Sequence, residues 1–202
     1  MELPLFPLGT VLFPEGELSL RIFEPRYLSM VGERMKTEGP FGVVLIRDGK
    51  EIGEPASFHQ IGTLATIFDF DQLEDGTLGL RCRGSKKFRV TDYHIQADNL
   101  IVADVKVCRL GKVEQSDVLL ERFSLVSQFI DKMLGRKKLA EYRLNIDIEW
   151  KNPEWVSYQA AELLPLSPVS RQLLLEMETE ERLLELDNLL RAEAQTNSSE
   201  IP

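Results

Sequence analysis

The sequence predicts an α+β protein, in which a barrel-like sheet with one inserted helix is followed by an α-helical bundle. Two observations indicate this. Before about Leu110, short apolar segments alternate with polar residues at a period of two and are separated by Gly, Pro and Asp, which is typical of strands. After Leu110 the apolar residues recur with a helical period. Several strands at short intervals favour a closed, barrel-like sheet.

The change of period also predicts the domain limits. We expect a β-rich domain over residues 1–112 and a helical bundle over 113–195. The last residues, 196–202, belong to the segment AQTNSSEIP, which offers almost nothing to bury. We therefore expect them to form a disordered tail.

Composition excludes several classes of protein. With 202 residues, 43% hydrophobic and 28% charged, the chain can bury a substantial core. No stretch approaches the roughly 18 consecutive apolar residues of a membrane span. Pro4, Pro7 and Pro14 interrupt the apolar opening before it could resemble a signal peptide. We expect a cytoplasmic protein that does not enter a membrane.

Negative charge is concentrated near the C-terminus. The whole chain carries a formal charge of −9, and the stretch from Glu176 to Glu200 holds eight acidic residues against Arg182 and Arg191. Binding to a phosphate backbone depends on clustered Lys and Arg. Nucleic-acid binding is therefore not the expected main function.

Local signals place the elements of the first half. LPLFPLGTVLFP is predicted to be extended, because its prolines disfavour both a helix and a central strand. Asp48-Gly49 and Asp75-Gly76 are typical of hairpin turns. Pro25–Glu38 has the spacing of a helix. The predicted strands lie in ELSLRIF, FGVVLI, IGTLATIFDF, DGTLGLRC, KFRVTDY and LIVADVKV.

Capping residues predict three helices in the second half. The first runs through SDVLLERFSLVSQFIDKMLG, with Ser116 or Asp117 as N-cap and Gly135 as C-cap. The second follows Asn152-Pro153. The third follows Ser167-Pro168 and extends without interruption through VSRQLLLEMETEERLLELDNLLRAEA.

No residue pattern points to catalysis, a metal or a cofactor. Cys82 and Cys108 have no histidine at zinc spacing, and we expect two half-buried strand cysteines. His59 and His94 lie in strand-like segments without an adjacent nucleophile. The sequence holds no GxxxxGK[ST] loop for nucleotide phosphates. We expect a protein that is not an enzyme and binds no cofactor.

The stretch PLFPLGTVLFPEGELSLRIFEPRY resembles the opening of the N-terminal, substrate-binding domain of the Lon protease family, and similar segments extend the resemblance over about residues 3–190. The resemblance implies a PUA-like pseudo-β-barrel followed by a helical bundle. It further implies that the chain recognises unfolded or extended polypeptide. Since no nucleotide-binding loop is present, the resemblance is to the recognition part of a protease, and a separate protease or ATPase is a candidate partner.

Aromatic residues are the candidate polypeptide-binding site. We expect a shallow apolar groove between barrel and bundle, and four phenylalanines are its candidate contacts: Phe13, Phe23, Phe68 and Phe70. The alternative is that the same rings fill the barrel. Alternation along FDFD predicts that Phe68 and Phe70 share one face of a strand and that the two aspartates share the other.

Three further segments each allow a functional and a structural interpretation. RCRGSKKFR carries a basic patch that could contact RNA or an acidic peptide, or could be the exposed side of a strand bent at Gly84-Ser85; its members are Arg81, Arg83, Lys86, Lys87 and Arg89. Glu24 and Arg26 flank the predicted helix start and form either a groove contact or an ion pair or cap that fixes the corner. Leu183, Leu186 and Leu190 are either core or the seam by which an acidic adaptor helix docks on a folded partner.

Overall fold

Six strands and one helix build the N-terminal unit of the structure, a computed structural model that describes residues 1–108 and 116–199. The elements are β1 (Glu2–Leu8), β2 (Glu17–Ile22), α1 (Pro25–Thr37), β3 (Phe41–Asp48), β4 (Ser57–Gln72), β5 (Leu78–Ile95) and β6 (Ile101–Val107). The helix predicted at Pro25 is confirmed. Contacts divide the chain into two compact units, Met1–Arg109 and Leu110–Pro202. The predicted domain limit at residue 112 lies outside the described residues and stays a prediction.

The strands close into a barrel, as predicted. Their order is β2-β5-β4-β3-β1-β6, and β6 also pairs with β5. Closure depends on the length of β5, which pairs with β4 along one side. Along its other side, β5 pairs first with β2 and then with β6. Five strands therefore form the ring, and β2 is attached to it through β5 alone.

The proline-rich opening forms a strand inside the sheet, contrary to the expectation that its prolines exclude a central position. β1 pairs with β6 through Glu2–Leu5 and, in parallel, with β3 through Leu5–Leu8. Pro4 and Pro7 thus each lie in a half of the strand that has a partner on one side only. Proline is tolerated there because its missing N–H costs no ladder hydrogen bond when it faces the unpaired side.

Two predicted strands are a single strand in the structure. DGTLGLRC and KFRVTDY belong to β5, and the bend predicted at Gly84-Ser85 is a β-bulge, where the register against β4 shifts between Thr63 and Ala65. The turn predicted at Asp75-Gly76 is confirmed, since Gly76 has φ of 81° and joins β4 to β5. Asp48-Gly49 opens a longer connection, residues 49–56, between β3 and β4.

Six helices and a short 3-10 turn, Lys137–Leu139, make up the described part of the second unit. The helices are α2 (Ser116–Arg122), α3 (Ser124–Leu134), α4 (Ala140–Asn145), α5 (Pro153–Leu163), α6 (Pro168–Glu176) and α7 (Thr179–Ser199). Asn152 and Ser167 cap α5 and α6 as predicted, each accepting hydrogen bonds from backbone N–H groups in the first turn. α5 is buried along most of its length and contacts α3 and α7.

Two of the predicted helices are interrupted. The first breaks at Phe123, whose backbone leaves helical geometry between α2 and α3. The last breaks at Met177, between α6 and α7, although periodicity continues across the break. A buried side chain explains the second interruption: Nη1 of Arg182 donates to the carbonyl oxygens of Leu174 at 3.3 Å and Met177 at 2.8 Å. Both carbonyl groups lie at the end of α6, where the last turn of a helix runs out of N–H groups of its own, and Arg182 supplies a donor to each.

The C-terminal helix continues farther than expected. α7 reaches Ser199, four residues into the segment for which disorder was predicted. Each residue added to an existing helix gains a backbone hydrogen bond even without a buried side chain, which explains the extension. Residues 200–202 lie outside the described part. None of the helices in the described ranges has the length and apolarity to cross a bilayer.

Candidate functional site

The corner between β2 and α1 is fixed by an ion pair. Nη2 of Arg26 lies 3.0 Å from Oε2 of Glu24, and Nη1 donates to the carbonyl oxygen of Asn99 at 2.9 Å. Glu24 occupies the N-cap position of α1 but accepts no capping hydrogen bond through its side chain. The structural interpretation of this pair as a corner lock therefore agrees with its geometry.

Beside this corner lies a cavity of about 310 Å³, which we name the edge cavity. Its size is at the lower end of that of ligand sites. Its walls are mostly apolar and come from the second half of β1, from β2, from the start of α1 and from the loop after β3. The apolar residues that line it are Phe6, Leu8, Leu18, Leu20, Ile22, Phe23, Tyr27 and Ile52.

The edge cavity runs along the unpaired side of β2. Successive residues of a strand point to opposite faces of the sheet. Yet Leu18, Leu20 and Ile22 line the cavity together with Ser19 and Arg21, which belong to the other face. Among the described residues that line the cavity, none belongs to β5, although β5 pairs with all of Glu17–Ile22, so the space lies beside the other, open edge of β2.

A second cavity, of about 450 Å³, lies at the hairpin formed by β4 and β5, and we name it the hairpin cavity. Its lining includes Phe70, Leu73 and Leu80 together with Ser19, Leu20 and Arg21 of β2. The same part of β2 therefore borders both cavities.

The four predicted phenylalanines do not form one cluster. Phe23 is 48% exposed and lines the edge cavity, whereas Phe70 is 57% exposed and lines the hairpin cavity. Phe13 is wrong as a contact residue, because it is fully buried in the barrel at 0% exposure. Phe13 precedes β2 in a segment whose backbone binds Gly84, and this packing places its ring in the core.

Phe68 is exposed but has a different environment from Phe70. The register of β4 against β5 shifts between Ile67 and Asp69, so the expected alternation along FDFD is interrupted. The Phe68 ring lies 5.1 Å from the guanidinium carbons of Arg81 and Arg83, whereas Phe70 is paired with the buried Leu80. Phe68 and Phe70 still border a common cavity of about 370 Å³ with Arg34 and Met35 of α1.

The basic patch is not a single cationic surface. Arg83 and Arg81 lie 3.0 Å and 3.4 Å from the Glu17 carboxylate. Arg81 also approaches Asp69, Lys87 is buried, and the exposed members are Lys86 and Arg89. The apolar residues of the same segment face the core as the structural interpretation predicts: Leu80, Cys82, Phe88 and Val90. Clustered charge available to a phosphate backbone is thus reduced.

The leucines of the predicted adaptor seam belong to the core of the helical unit. Leu183 and Leu186 are fully buried and Leu190 is nearly so. A partner could reach them only if α7 left α3 and α5, the helices against which it packs. Their proposed role as docking contacts is therefore wrong.

Periodicity did not reveal the loop residues of the edge cavity. Glu51 and Ile52 lie in the long connection after β3, where no pattern marks them. Glu51 accepts a hydrogen bond from the N–H of Gly9 at 2.6 Å, which links this loop to the end of β1. The Asp48-Gly49 turn signal identified the reversal of the chain but not the length of the connection.

The two histidines lie in different strands of the barrel unit. His59 lies in β4 and His94 in β5, and the rings of their sequence neighbours Phe58 and Tyr93 lie 5.1 Å apart. Within the described ranges, no group of three His, Cys, Asp or Glu side chains is arranged to hold a metal ion.

Comparison with known proteins places this geometry in a family. The family described as the ATP-dependent protease La (LON) substrate-binding domain matches residues 2–191. Lon protease 2 of Syntrophobacter fumaroxidans is 27% identical over 178 residues, 87% of this chain and 22% of that protein. Lon protease 1 of Herpetosiphon aurantiacus is 24% identical over 201 residues, 95% of this chain and 24% of that protein. The chain thus spans about a quarter of the length of these relatives.

Two solved structures are similar in fold. The Lon N-terminal domain protein from Xanthomonas campestris superposes with a TM-score of 0.73 at 34% identity, covering 92% of this chain and 96% of that one. The N-terminal domain of the Mycobacterium avium complex Lon protease gives 0.71 at 13% identity, covering 95% and 98%, and shows the fold alone. From the family match over residues 2–191 and the barrel and helices it covers, the chain belongs to the LON substrate-binding domain family.

Proposed function

We propose that this chain is a non-enzymatic recognition module that binds exposed apolar segments of unfolded or extended polypeptide. The observation that carries the proposal is the pair of largely apolar cavities that β2 borders, each lined also by an exposed phenylalanine. An exposed aromatic ring beside an apolar hollow gains free energy when an apolar side chain covers it. The family description as a substrate-binding domain supports polypeptide as the ligand.

Shallow cavities of this kind suit weak, sequence-tolerant capture. An unfolded segment loses conformational entropy when it is immobilised, so only part of the burial energy appears as affinity. Exposed rings can accept several different apolar side chains. A protease or ATPase that acts on the captured segment would be a partner or a further part of the same system.

The proposal is tested by titrating a fluorescently labelled, reduced and carboxymethylated polypeptide, which cannot refold, and following its anisotropy. Phe23→Ala and Phe70→Ala should each weaken binding by about tenfold, a loss of roughly 1.4 kcal/mol that matches removal of part of an aromatic contact. Ile95→Ala is the matched control, because Ile95 is a similarly exposed apolar residue of β5 that lines neither cavity. Equal binding by all three variants and the original chain would overturn the proposed site.

A further inference from the structure

The backbone groups along one edge of β2 are unpaired, and the side-chain contacts proposed for Phe23 and Phe70 do not involve them. β2 pairs with β5 only. Among the residues that the structure describes, no other backbone hydrogen bond reaches Glu17–Ile22. Free N–H and C=O groups in a row along a strand are a template for a further strand. The edge cavity lies beside this row.

The register shows which groups face the cavity. Gly84 N–H donates to the carbonyl oxygen of Gly16 at 2.9 Å, while the Gly84 carbonyl accepts from Glu15 N–H at 3.0 Å, so residues 16 and 84 are paired through the one hydrogen bond and the Gly16 carbonyl points to β5. In an antiparallel ladder such pairs recur at every second residue. Leu18, Leu20 and Ile22 therefore direct their backbone groups to β5. The N–H and C=O groups of Glu17, Ser19 and Arg21 point to the open edge.

The strand on the other side of the cavity is a poorer template. The second half of β1 pairs with β3 only, so its other edge is also open. Pro7 lies in this half and has no N–H to donate. β2 contains no proline, so each of its outward N–H groups is available.

The charges around the edge cavity restrict its ligand. Arg21 is paired with Asp75 at 3.0 Å, and Glu24 with Arg26 at 3.0 Å. Glu51 accepts from the Gly9 N–H, but within residues 1–108 and 116–199 no Lys or Arg forms an ion pair with it. The cavity thus keeps one uncompensated carboxylate, which disfavours acidic segments and tolerates neutral or basic ones.

We propose that the chain captures polypeptide by β-strand addition to β2. An extended segment with apolar side chains at alternate positions and neutral or basic flanks pairs with the backbone of Glu17, Ser19 and Arg21. Its main chain supplies hydrogen bonds that do not depend on sequence, and every second side chain enters the edge cavity. The proposal deepens the proposed function and rests on it.

A proline substitution in β2 distinguishes β-strand addition from binding through side-chain contacts alone. Ser19→Pro removes one outward N–H and leaves the ladder to β5 intact, because proline is tolerated on an edge strand when its nitrogen faces solvent. Ser19→Ala is the matched control, since it removes the hydroxyl and keeps the N–H. With the carboxymethylated polypeptide as probe, Ser19→Pro should bind at least about tenfold more weakly, and Ser19→Ala within about twofold of the original chain.

Amide hydrogen exchange tests the same proposal in the unaltered chain, whatever the stability of Ser19→Pro. Saturation with the probe should slow exchange at Glu17, Ser19 and Arg21, whereas Leu18, Leu20 and Ile22 are already bonded to β5 and should change little. Binding without such protection, together with equal affinities of Ser19→Pro and Ser19→Ala, would overturn strand addition and leave the proposed function standing. Absence of any binding to the original chain would overturn both.

Discussion

The two cysteines show how one side chain's environment decides its chemistry. Both were expected to be half-buried, but Cys82 is fully buried in β5 and Cys108, just after β6, is half-buried. Burial raises the pKa of the Cys82 thiol to about 12. Because the thiolate is the reactive form, Cys82 is protected both by its packing and by its protonation.

We therefore expect a thiol reagent such as DTNB to modify Cys108 alone in the native chain at mildly alkaline pH. Cys82 should react only after unfolding in guanidinium chloride. Absorbance of the released thiolate counts the reacting groups in each condition. Cys108→Ser should abolish the native reaction, and two equally fast thiols in the native chain would contradict the packing of β5.

Two glycines of the barrel unit predict opposite effects of the same substitution. A Cβ at Gly84 would overlap the carbonyl oxygen of Phe13, whereas one at Gly32, inside α1, would meet nothing within 4 Å. Gly84→Ala should lower the free energy of unfolding by about 1–3 kcal/mol, because the backbones must move apart. Gly32→Ala should raise it by about 0.5–1 kcal/mol, because alanine favours a helix interior.

Urea denaturation of the two variants measures both changes. A Gly84→Ala variant as stable as the original chain would contradict the close approach of the Phe13 segment to β5.

At the residue scale, local signals such as the Asn152 and Ser167 caps were predictable, because they depend on neighbours in sequence. The burial of Phe13 was not, because it depends on a contact with a strand some 70 residues away.

Elements were predicted well in type and less well in extent. The sequence separates DGTLGLRC from KFRVTDY, but a bulge lets β5 continue through both. Conversely, continuous periodicity from Pro168 onward predicts one helix where the structure has α6 and α7. In the first case the bulge lies at Gly84, whose backbone pairs with a distant segment. In the second, Arg182 bonds locally to the end of α6 and, through Nε, to the more distant Ser157.

Arg182 is the residue on which the joint between α6 and α7 depends. Its side chain is 1% exposed, lies 3.8 Å from the Tyr158 ring centroid, and donates through Nε to Ser157 at 2.8 Å. Burial lowers its pKa below the ordinary value for arginine, which shows that holding this charge inside the unit is costly. The hydrogen bonds to the end of α6 offset that cost.

Arg182→Met should therefore destabilise the helical unit despite removing a buried charge. It removes three hydrogen bonds of a buried side chain, to Ser157 and to the carbonyl oxygens of Leu174 and Met177, and the expected loss is about 2–4 kcal/mol in the free energy of unfolding. Arg122→Met in α2 is the control, because Arg122 and Glu180 form an ion pair that is exposed on both sides, and it should change stability by no more than about 1 kcal/mol. Chemical denaturation followed by far-UV circular dichroism measures the free energy of unfolding of both variants. An Arg182→Met variant as stable as the original chain would contradict the role of Arg182 at the junction between α6 and α7.

At the scale of the whole molecule, the alternation of apolar residues and the opening motif were sufficient to predict a barrel-like unit followed by helices. They could not predict where a ligand would bind. The edge cavity combines residues of β1, β2, α1 and a loop, and only the closed topology brings these segments together. The basic segment is the opposite case. Its positive charges are close together in sequence, but pairing with Glu17 and burial of Lys87 prevent them from forming one cationic surface.

The most direct test of polypeptide recognition is an anisotropy titration of the unaltered chain with the labelled, carboxymethylated polypeptide at low and at high salt. Contacts between exposed charges are largely screened once the Debye length falls to about 3 Å at 1 M salt, whereas apolar burial is not weakened. Recognition through apolar contacts predicts saturable binding with an affinity that survives high salt. Binding that disappears with added salt, or no binding at either concentration, would contradict it.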